Sequence, residues 1–225
     1  MRTTRRLAFA WVGFYTSASS GPAGLLRISH SLLGAVVRPG HTCVDATVGN
    51  GFDALFLSRL LFPSSPSSPP SLLPSTLYCI DRQAGAIANT TQLLLTEFPA
   101  DVVNKHVHFV HGSHAALPAA LHADFQVMGI VYNLGYLPGS ADKAVTTTAE
   151  STLSSLQESC AVLARGGLIS VCAYRGHEGG EEEERQVREY FRRLDLRHWD
   201  VNQHVGMQIR GEETGPILYT ARRRA

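Results

Sequence analysis

The chain has 225 residues, 44% of them hydrophobic and 17% charged, with a formal net charge of +1. That length suits one domain with a substantial core, and the near-neutral balance excludes a globally basic nucleic-acid binder, so any basic surface must be local. No run approaches the roughly 18 apolar residues of a membrane span. Cys43, Cys79, Cys160 and Cys172 form no Cys-x-x-Cys. They read as small buried hydrophobes in a reducing compartment, which argues against a disulfide frame or a zinc site.

Residues 1–22 carry Arg2, Arg5 and Arg6 with Ser and Thr, and no acid precedes Asp45. Such a start resembles an organelle transit peptide, for chloroplast or mitochondrion; the alternative is an ordinary flexible terminus on a cytoplasmic protein. The remainder, 23–225, reads as the working domain. Leu25, Leu26, Leu32, Leu33, Val36 and Val37 recur at helical spacing and stop before Pro39-Gly40. This helix should cover one sheet face and the mouth of a site. Cys43 to Val48 is an apolar run ending in Gly49-x-Gly51, and Ala54, Leu55, Leu57, Leu60 and Leu61 continue as a helix. A buried strand, a glycine turn and a helix N-terminus follow from that order. Between Pro63 and Ser75, eleven of thirteen residues are Pro or Ser, so 63–75 reads as a disordered surface insertion.

Thr76 to Asp81 is the second strand and ends in an acid, the position that holds ribose hydroxyls in nucleotide-binding βαβ units. Gln83 to Phe98 reads as a helix. His106 to His111 reads as a third strand, with Ser113 and His114 at its tip where an adenine is contacted. His106 and His108 share one face of that strand while His111 points away, and no Asp, Glu or Cys lies near, which argues against a metal. Met128 to Asn133 forms a fourth strand, Thr148 to Leu163 a helix, and Leu168 to Tyr174 a fifth strand. Glu181 to Leu194 is a charged helix with i,i+4 pairs Glu181/Arg185, Glu184/Arg188 and Glu189/Arg193, read as a solvated face. Trp199 to Ile209 and Pro216 to Ala221 close the chain as a hairpin around 211–215. The alternation predicts an α/β, Rossmann-like, mostly parallel seven-stranded sheet with a C-terminal antiparallel hairpin, and ligands at the carboxyl strand ends.

The glycine turn and Asp81 together predict a nucleoside cofactor. Gly49-x-Gly51-x-x-Ala54 satisfies the dinucleotide fingerprint. Asp45 argues otherwise, because a carboxylate there would repel a pyrophosphate yet suits the ammonium group of S-adenosylmethionine. The expected cofactor set is Asp45, Thr47, Gly49, Asn50, Gly51, Asp53, Asp81, Gln83, Ser113, His114 and Asn133. Asn133-Leu-Gly-Tyr136 resembles the Asn-Pro-Pro-Tyr signature of methyltransferases that act on amino nitrogens. An Asn oxygen and nearby carbonyls accept the amine N–H bonds and aim its lone pair, and a following Tyr stacks on the base.

Asp45-Ala-Thr-x-Gly-Asn-Gly51, Asn133-Leu-Gly-Tyr-Leu-Pro-Gly with Asp142-Lys143, and Tyr174-x-Gly-His-x-Gly-Gly180 together resemble one family. It was long described as rRNA methylase and is understood as the tRNA methyltransferase that converts 5-aminomethyl(-2-thio)uridine at the wobble position to its methylaminomethyl form. The resemblance implies the class I S-adenosylmethionine methyltransferase fold, no metal, the anticodon stem-loop of tRNA as partner, and a monomer or small homodimer. It implies Asn133, Tyr136, Asp142 and His177 as catalytic residues, and Tyr136, Lys143, Tyr174 and Arg175 as substrate contacts. Asp142 or His177 would take the amine proton; His177 would otherwise orient the substrate. The Pro/Ser insertion and one extra residue between Pro138 and Lys143 depart from the family pattern. The competing readings are an NAD(P)-dependent oxidoreductase, a methyltransferase of another RNA such as rRNA, and a catalytically silent RNA-binding relic.

Overall fold

The structure, a computed structural model, describes residues 23–63, 74–123, 127–136, 146–206 and 215–225. In chain order the elements are α1 (Ala23–Val36), β1 (Thr42–Asp45), α2 (Phe52–Leu61), β2 (Thr76–Asp81), α3 (Ala84–Glu97), α4 (Ala100–His106) and β3 (Val107–His111). A 3-10 turn at Ala119–Ala123 leads to β4 (Val127–Leu134), α5 (Ala149–Val162), β5 (Leu168–Ala173), α6 (Gly180–Arg192), β6 (Trp199–Val205) and β7 (Ile217–Arg223).

One seven-stranded sheet runs in the order β3-β2-β1-β4-β5-β7-β6. The first five strands are parallel, and β7 lies antiparallel between β5 and β6. This is the expected architecture. Strand alternation builds a core on each face, since successive side chains point to opposite sides. Val44, Ile80, Ile130 and Tyr132 pack with Leu156, Val187 and Phe191 of α5 and α6. Cys43, Leu77, Cys79 and Val131 pack with Leu33, Leu57, Leu61 and Leu94 of α1, α2 and α3. Covered on both faces, β1 and β5 are buried at every position, as central parallel strands are. Strand order reverses between β1 and β4, and ligands of doubly wound sheets bind at that crevice.

Several expectations are corrected in detail. His106 ends the unforeseen helix α4 instead of lying on the third strand, and its Nδ1 meets the Ser75 carbonyl oxygen at 3.0 Å. The expected surface insertion stops short of Ser75, which is buried and donates to Leu61 O at 2.9 Å while accepting from Gly40 N at 2.8 Å. Residues 64–73 of that insertion, and residues 1–22, lie outside the described residues, as do 207–214, which include the expected strand end at Ile209 and most of the hairpin turn. The charged helix is not a wholly solvated face. Glu183 and Glu184 are buried, because α6 packs its Glu183–Val187 side against α5 and the sheet. Arg185 pairs with Glu182 at 2.6 Å and Glu189 at 2.7 Å, not with Glu181. The pairs Glu184/Arg188 and Glu189/Arg193 do form, at 3.9 and 3.8 Å.

Candidate active site

At the tip of β1 the chain turns sharply to start α2. Gly49 and Gly51 adopt φ of 50° and 80°, and a Cβ on Gly51 would stand 2.7 Å from Thr90 Oγ1. Only glycine fits there. The turn is pinned to β2 through Asp81, which accepts from Gly49 N at 2.9 Å and from Gln83 N at 2.8 Å. Each carboxylate oxygen retains a further lone pair for a hydroxyl. Gln83 is the N-cap residue of α3, and Asn50 sits half-buried within the turn.

Asp45 lies under this turn with no exposed surface. Its Oδ1 accepts from Thr47 N at 3.3 Å, but its Oδ2 has no partner among the described residues. Burial first, then the neighbouring Asp53 and Asp81 carboxylates, push its carboxyl well above the usual range. A cation placed here would reverse that. Thr47 turns its Oγ1 to accept from Asn133 N at 2.7 Å, locking β1 to β4. Asn133 donates its Nδ2 to Asp53 Oδ2 at 2.6 Å, while its Oδ1 is buried without a partner. The other Asp53 oxygen lies 2.5 Å from His30 Nε2. His30 comes from α1 and stacks on Phe56 at 3.9 Å, the planes 2° apart. Sequence reading passed over His30. Its signal was positional: Ser29 and His30 stand with Leu25 and Leu33 on the buried face of α1.

Beyond β4 and β5 stand the expected substrate residues. Tyr136 bridges to Thr146, and its ring meets the edge of His177 at 6.0 Å. His177 Nδ1 faces Glu178 O at 3.0 Å. A carbonyl only accepts, so Nδ1 carries a proton. Nε2 is buried without a partner, held between Gly135 and Gly180, where added Cβ atoms would come within 3.3 and 2.8 Å of it. Burial raises the Tyr174 phenol above its ordinary range. Arg175 Nε donates to Gly215 O at 3.1 Å and lines an open groove with His177, Glu181 and Arg188. Asp142 and Lys143 lie outside the described residues.

At the tip of β3, Ser113 accepts from Ala115 N at 3.2 Å. His114 is buried, facing Thr152 Oγ1 at 3.4 Å, and burial, then the Arg82 charge, lower its pKa to about 4. The structure thus brings Asp45, Thr47, Asp53 and Asn133 together at β1 and β4, and Gly49, Gly51, Asp81 and Gln83 at β1 and β2. Tyr136, Tyr174, Arg175 and His177 form the adjoining β4–β5 side. Among the described residues no three His, Cys, Asp or Glu side chains gather to hold a metal ion, and no helix is long and apolar enough to cross a membrane.

The chain resembles several known proteins. The "tRNA (mnm(5)s(2)U34)-methyltransferase, chloroplastic" of Arabidopsis thaliana is 31% identical over 173 residues, which is 77% of this chain. The chain spans 61% of the length of that relative. The crystal structure of an rRNA-methylase from Clostridium thermocellum, itself described as putative, is 30% identical with a TM-score of 0.73, covering 88% of this chain and 97% of the other. A methyltransferase from Streptococcus mutans, solved in complex with SAH, is 25% identical with a TM-score of 0.69 over the same shares. The family described as "Putative rRNA methylase" matches residues 77–221, and the chain belongs to that family.

Proposed function

We propose that the protein is an S-adenosylmethionine-dependent N-methyltransferase that completes the methylaminomethyl group on wobble uridine of tRNA in a chloroplast or mitochondrion. The observation that carries the reading is the pair of open, buried acceptors, Asp45 Oδ2 and Asn133 Oδ1. A buried acceptor left unmade costs about 1–3 kcal/mol, so two in one crevice ask for donors from ligands. An ammonium group suits Asp45, and an amine N–H suits Asn133. Asp81, with spare lone pairs at the β2 tip, suits ribose hydroxyls, and the Gly49–Gly51 main chain, bare of side chains, suits close approach of the cofactor's methionine part. A pyrophosphate would meet Asp45 as a like charge, which disfavours a nicotinamide dinucleotide. Thr47, Asn50, Gln83, Ser113 and His114 complete the proposed cofactor rim.

When bound, S-adenosylmethionine supplies an electrophilic methyl whose bond to sulfur breaks, the electron pair staying on sulfur, as the amine lone pair forms the new N–C bond. The chain's residues have the remaining task, which is positioning. Asn133 Oδ1 accepts one N–H of the neutral amine. The carbonyl of Leu134, which takes a long 3.4 Å bond from Tyr174 N, is proposed to accept the second, and the lone pair is then aimed. Tyr136 stacks on the uracil ring and His177, packed at its edge, fixes the ring's orientation. The nitrogen gains a positive charge and must lose a proton; Asp142 is the proposed acceptor. Tyr174, Arg175 and Lys143 meet the anticodon stem-loop, the cations on phosphates. The same crevice on a monomer or small homodimer would serve another RNA equally, rRNA being the second reading because the family description names it.

The test is methyl transfer from labelled cofactor to tRNA that lacks the final methyl group, with nucleoside analysis, alongside calorimetry with S-adenosylmethionine and with NAD. Label on the aminomethyl nitrogen of wobble uridine is expected. Label on a ring carbon or ribose, transfer only to rRNA, or binding of NAD alone would overturn the reading.

A further inference from the structure

Asn133 has two ends that look alike in shape and differ in polarity, and methylation needs the oxygen end. The structure holds a device that decides between them. One amide end abuts Asp53 Oδ2 at 2.6 Å, and a carboxylate oxygen only accepts, so that end must be Nδ2. Oδ1 is thereby the opposite end, buried and left without a partner among the described residues. Asp53 is itself fixed. It is 8% exposed, and its second oxygen lies 2.5 Å from His30 Nε2, an N–H donor across 23 residues of sequence. His30 is equally buried and its ring is clamped flat on Phe56. The helix that carries it is tied to the sheet one residue earlier, where Ser29 Oγ meets Ser170 Oγ at 2.7 Å.

We propose that His30 and Asp53 are positioning residues that hold the Asn133 amide with its oxygen toward the amine to be methylated. The inference rests on the methyl-transfer reading given above. It gives Asp53 a role within the protein, where its two oxygens accept from His30 and from Asn133. It also gives α1 a part in catalysis that packing alone would not require. An amide in place of the Asp53 carboxylate offers an N–H2 end to Asn133. Asn133 would then turn its own oxygen inward and present Nδ2 to the amine, the wrong polarity.

Four variants test this: Asp53→Asn, His30→Phe, His30→Gln and Asp53→Asn combined with Asn133→Ala. Asp53→Asn should lower kcat about a hundred-fold at saturating tRNA, the scale of losing one aligned transition-state hydrogen bond. Cofactor Kd by calorimetry and the melting temperature should scarcely move. His30→Phe keeps the stack on Phe56 and loses the donor, so kcat should fall about ten-fold. His30→Gln places an N–H donor near the Nε2 position and should recover wild-type kcat to within about three-fold. The double variant should be no slower than Asn133→Ala alone, because both changes remove the same interaction. Independently of catalysis, the Asn133 side-chain N–H2 protons should be protected from exchange in the unliganded protein and lose protection in Asp53→Asn. Wild-type kcat in Asp53→Asn, multiplicative losses in the double variant, equal losses in both His30 variants, or cofactor affinity falling in step with kcat would each overturn the inference. Wild-type protein that transfers no methyl to the tRNA would instead sink the functional reading, and this inference with it.

Discussion

Two groups of buried polar side chains flank the crevice, and they are finished differently. On α6, Glu183 is 2% exposed, and each of its oxygens accepts a threonine hydroxyl at 2.7 Å, from Thr147 and from Thr152. Its neighbour Glu184 accepts from the Tyr219 hydroxyl. At the tips of β1 and β4, Asp45 is fully buried and Asn133 is half-buried with its Oδ1 enclosed, yet each keeps one oxygen without a partner among the described residues. Burial does not separate the two groups. Completion does. A saturated buried acid stabilises the fold that surrounds it, whereas an unfilled acceptor marks the place where a ligand must supply the donor.

The largest effect should come from the open side. Asn133→Ala removes the acceptor while leaving the Thr47 bond to its main-chain N–H intact. Turnover at saturating tRNA should fall at least about a hundred-fold, some 2.7 kcal/mol of transition-state stabilisation, with cofactor affinity almost unchanged. Turnover near the wild-type value in single-turnover methyl transfer would place Asn133 among the merely structural groups. Asp81→Ala comes next. It removes charge-assisted bonds to ribose hydroxyls worth about 1.5–3 kcal/mol, so cofactor Kd should rise about ten- to a hundred-fold. Calorimetry checks it. Part of that loss belongs to the turn, because Asp81 also holds Gly49 N and Gln83 N, and Asp81→Asn, which retains an acceptor oxygen, should weaken binding less.

What could be read from sequence follows the same division. The glycine turn, the acid of β2 and the Asn-to-Tyr segment are contiguous stretches in which spacing and residue type declare a turn or an acceptor, and the fold places them where the pattern implied. The mostly parallel sheet with its terminal antiparallel hairpin was legible because alternating helices and strands leave few topologies. The missed features depend on partners far along the chain. His30 meets Asp53 only when α1 is laid across the sheet, and no local pattern announces it. Glu183 and Glu184 sit in a run of four glutamates whose charge suggested solvent; the hydroxyls that accept their burial come from Thr147, Thr152 and Tyr219. Helix α4 was hidden because its last residue, His106, also begins the alternating stretch that forms β3.

The saturated side should answer in stability, not in turnover. Glu183→Ala strands two threonine hydroxyls and should cost about 1–3 kcal/mol in chemical denaturation, with cofactor Kd unmoved. Glu183 also sets a pH dependence. Burial raises its carboxyl above the ordinary range, against the lowering effect of the hydrogen bonds from Thr152 and Thr147. With the folded value above the unfolded one, the folded state binds the extra proton. Its contribution to stability is therefore full below the unfolded carboxylate range, about pH 4.3, and is lost as pH rises through the folded value. Glu183→Gln should flatten that part of the melting-temperature profile relative to wild type. An unchanged slope would mean that Glu183 is not the titrating group.

The smallest effect tests a saturated group far from the chemistry. Ser75 stands at the end of the Pro/Ser stretch, where composition suggested that nothing packs, yet its hydroxyl is fully employed. It donates to Leu61 O, a carbonyl at the C-terminal end of α2 that the helix itself leaves unpaired, and it accepts from Gly40 N in the turn entering β1. The Ser75 carbonyl oxygen in turn meets His106, so one residue joins the ends of α2 and α4 to the start of β1. Ser75→Ala removes only the hydroxyl. Its cost should be about 1 kcal/mol, the net value of such a bond. A shift of that size in the denaturation midpoint, with cofactor Kd and turnover at wild-type values, is the expected result. A loss of cofactor binding in Ser75→Ala would show that the turn into β1 transmits to Asp45, and that completed polar groups also shape the site.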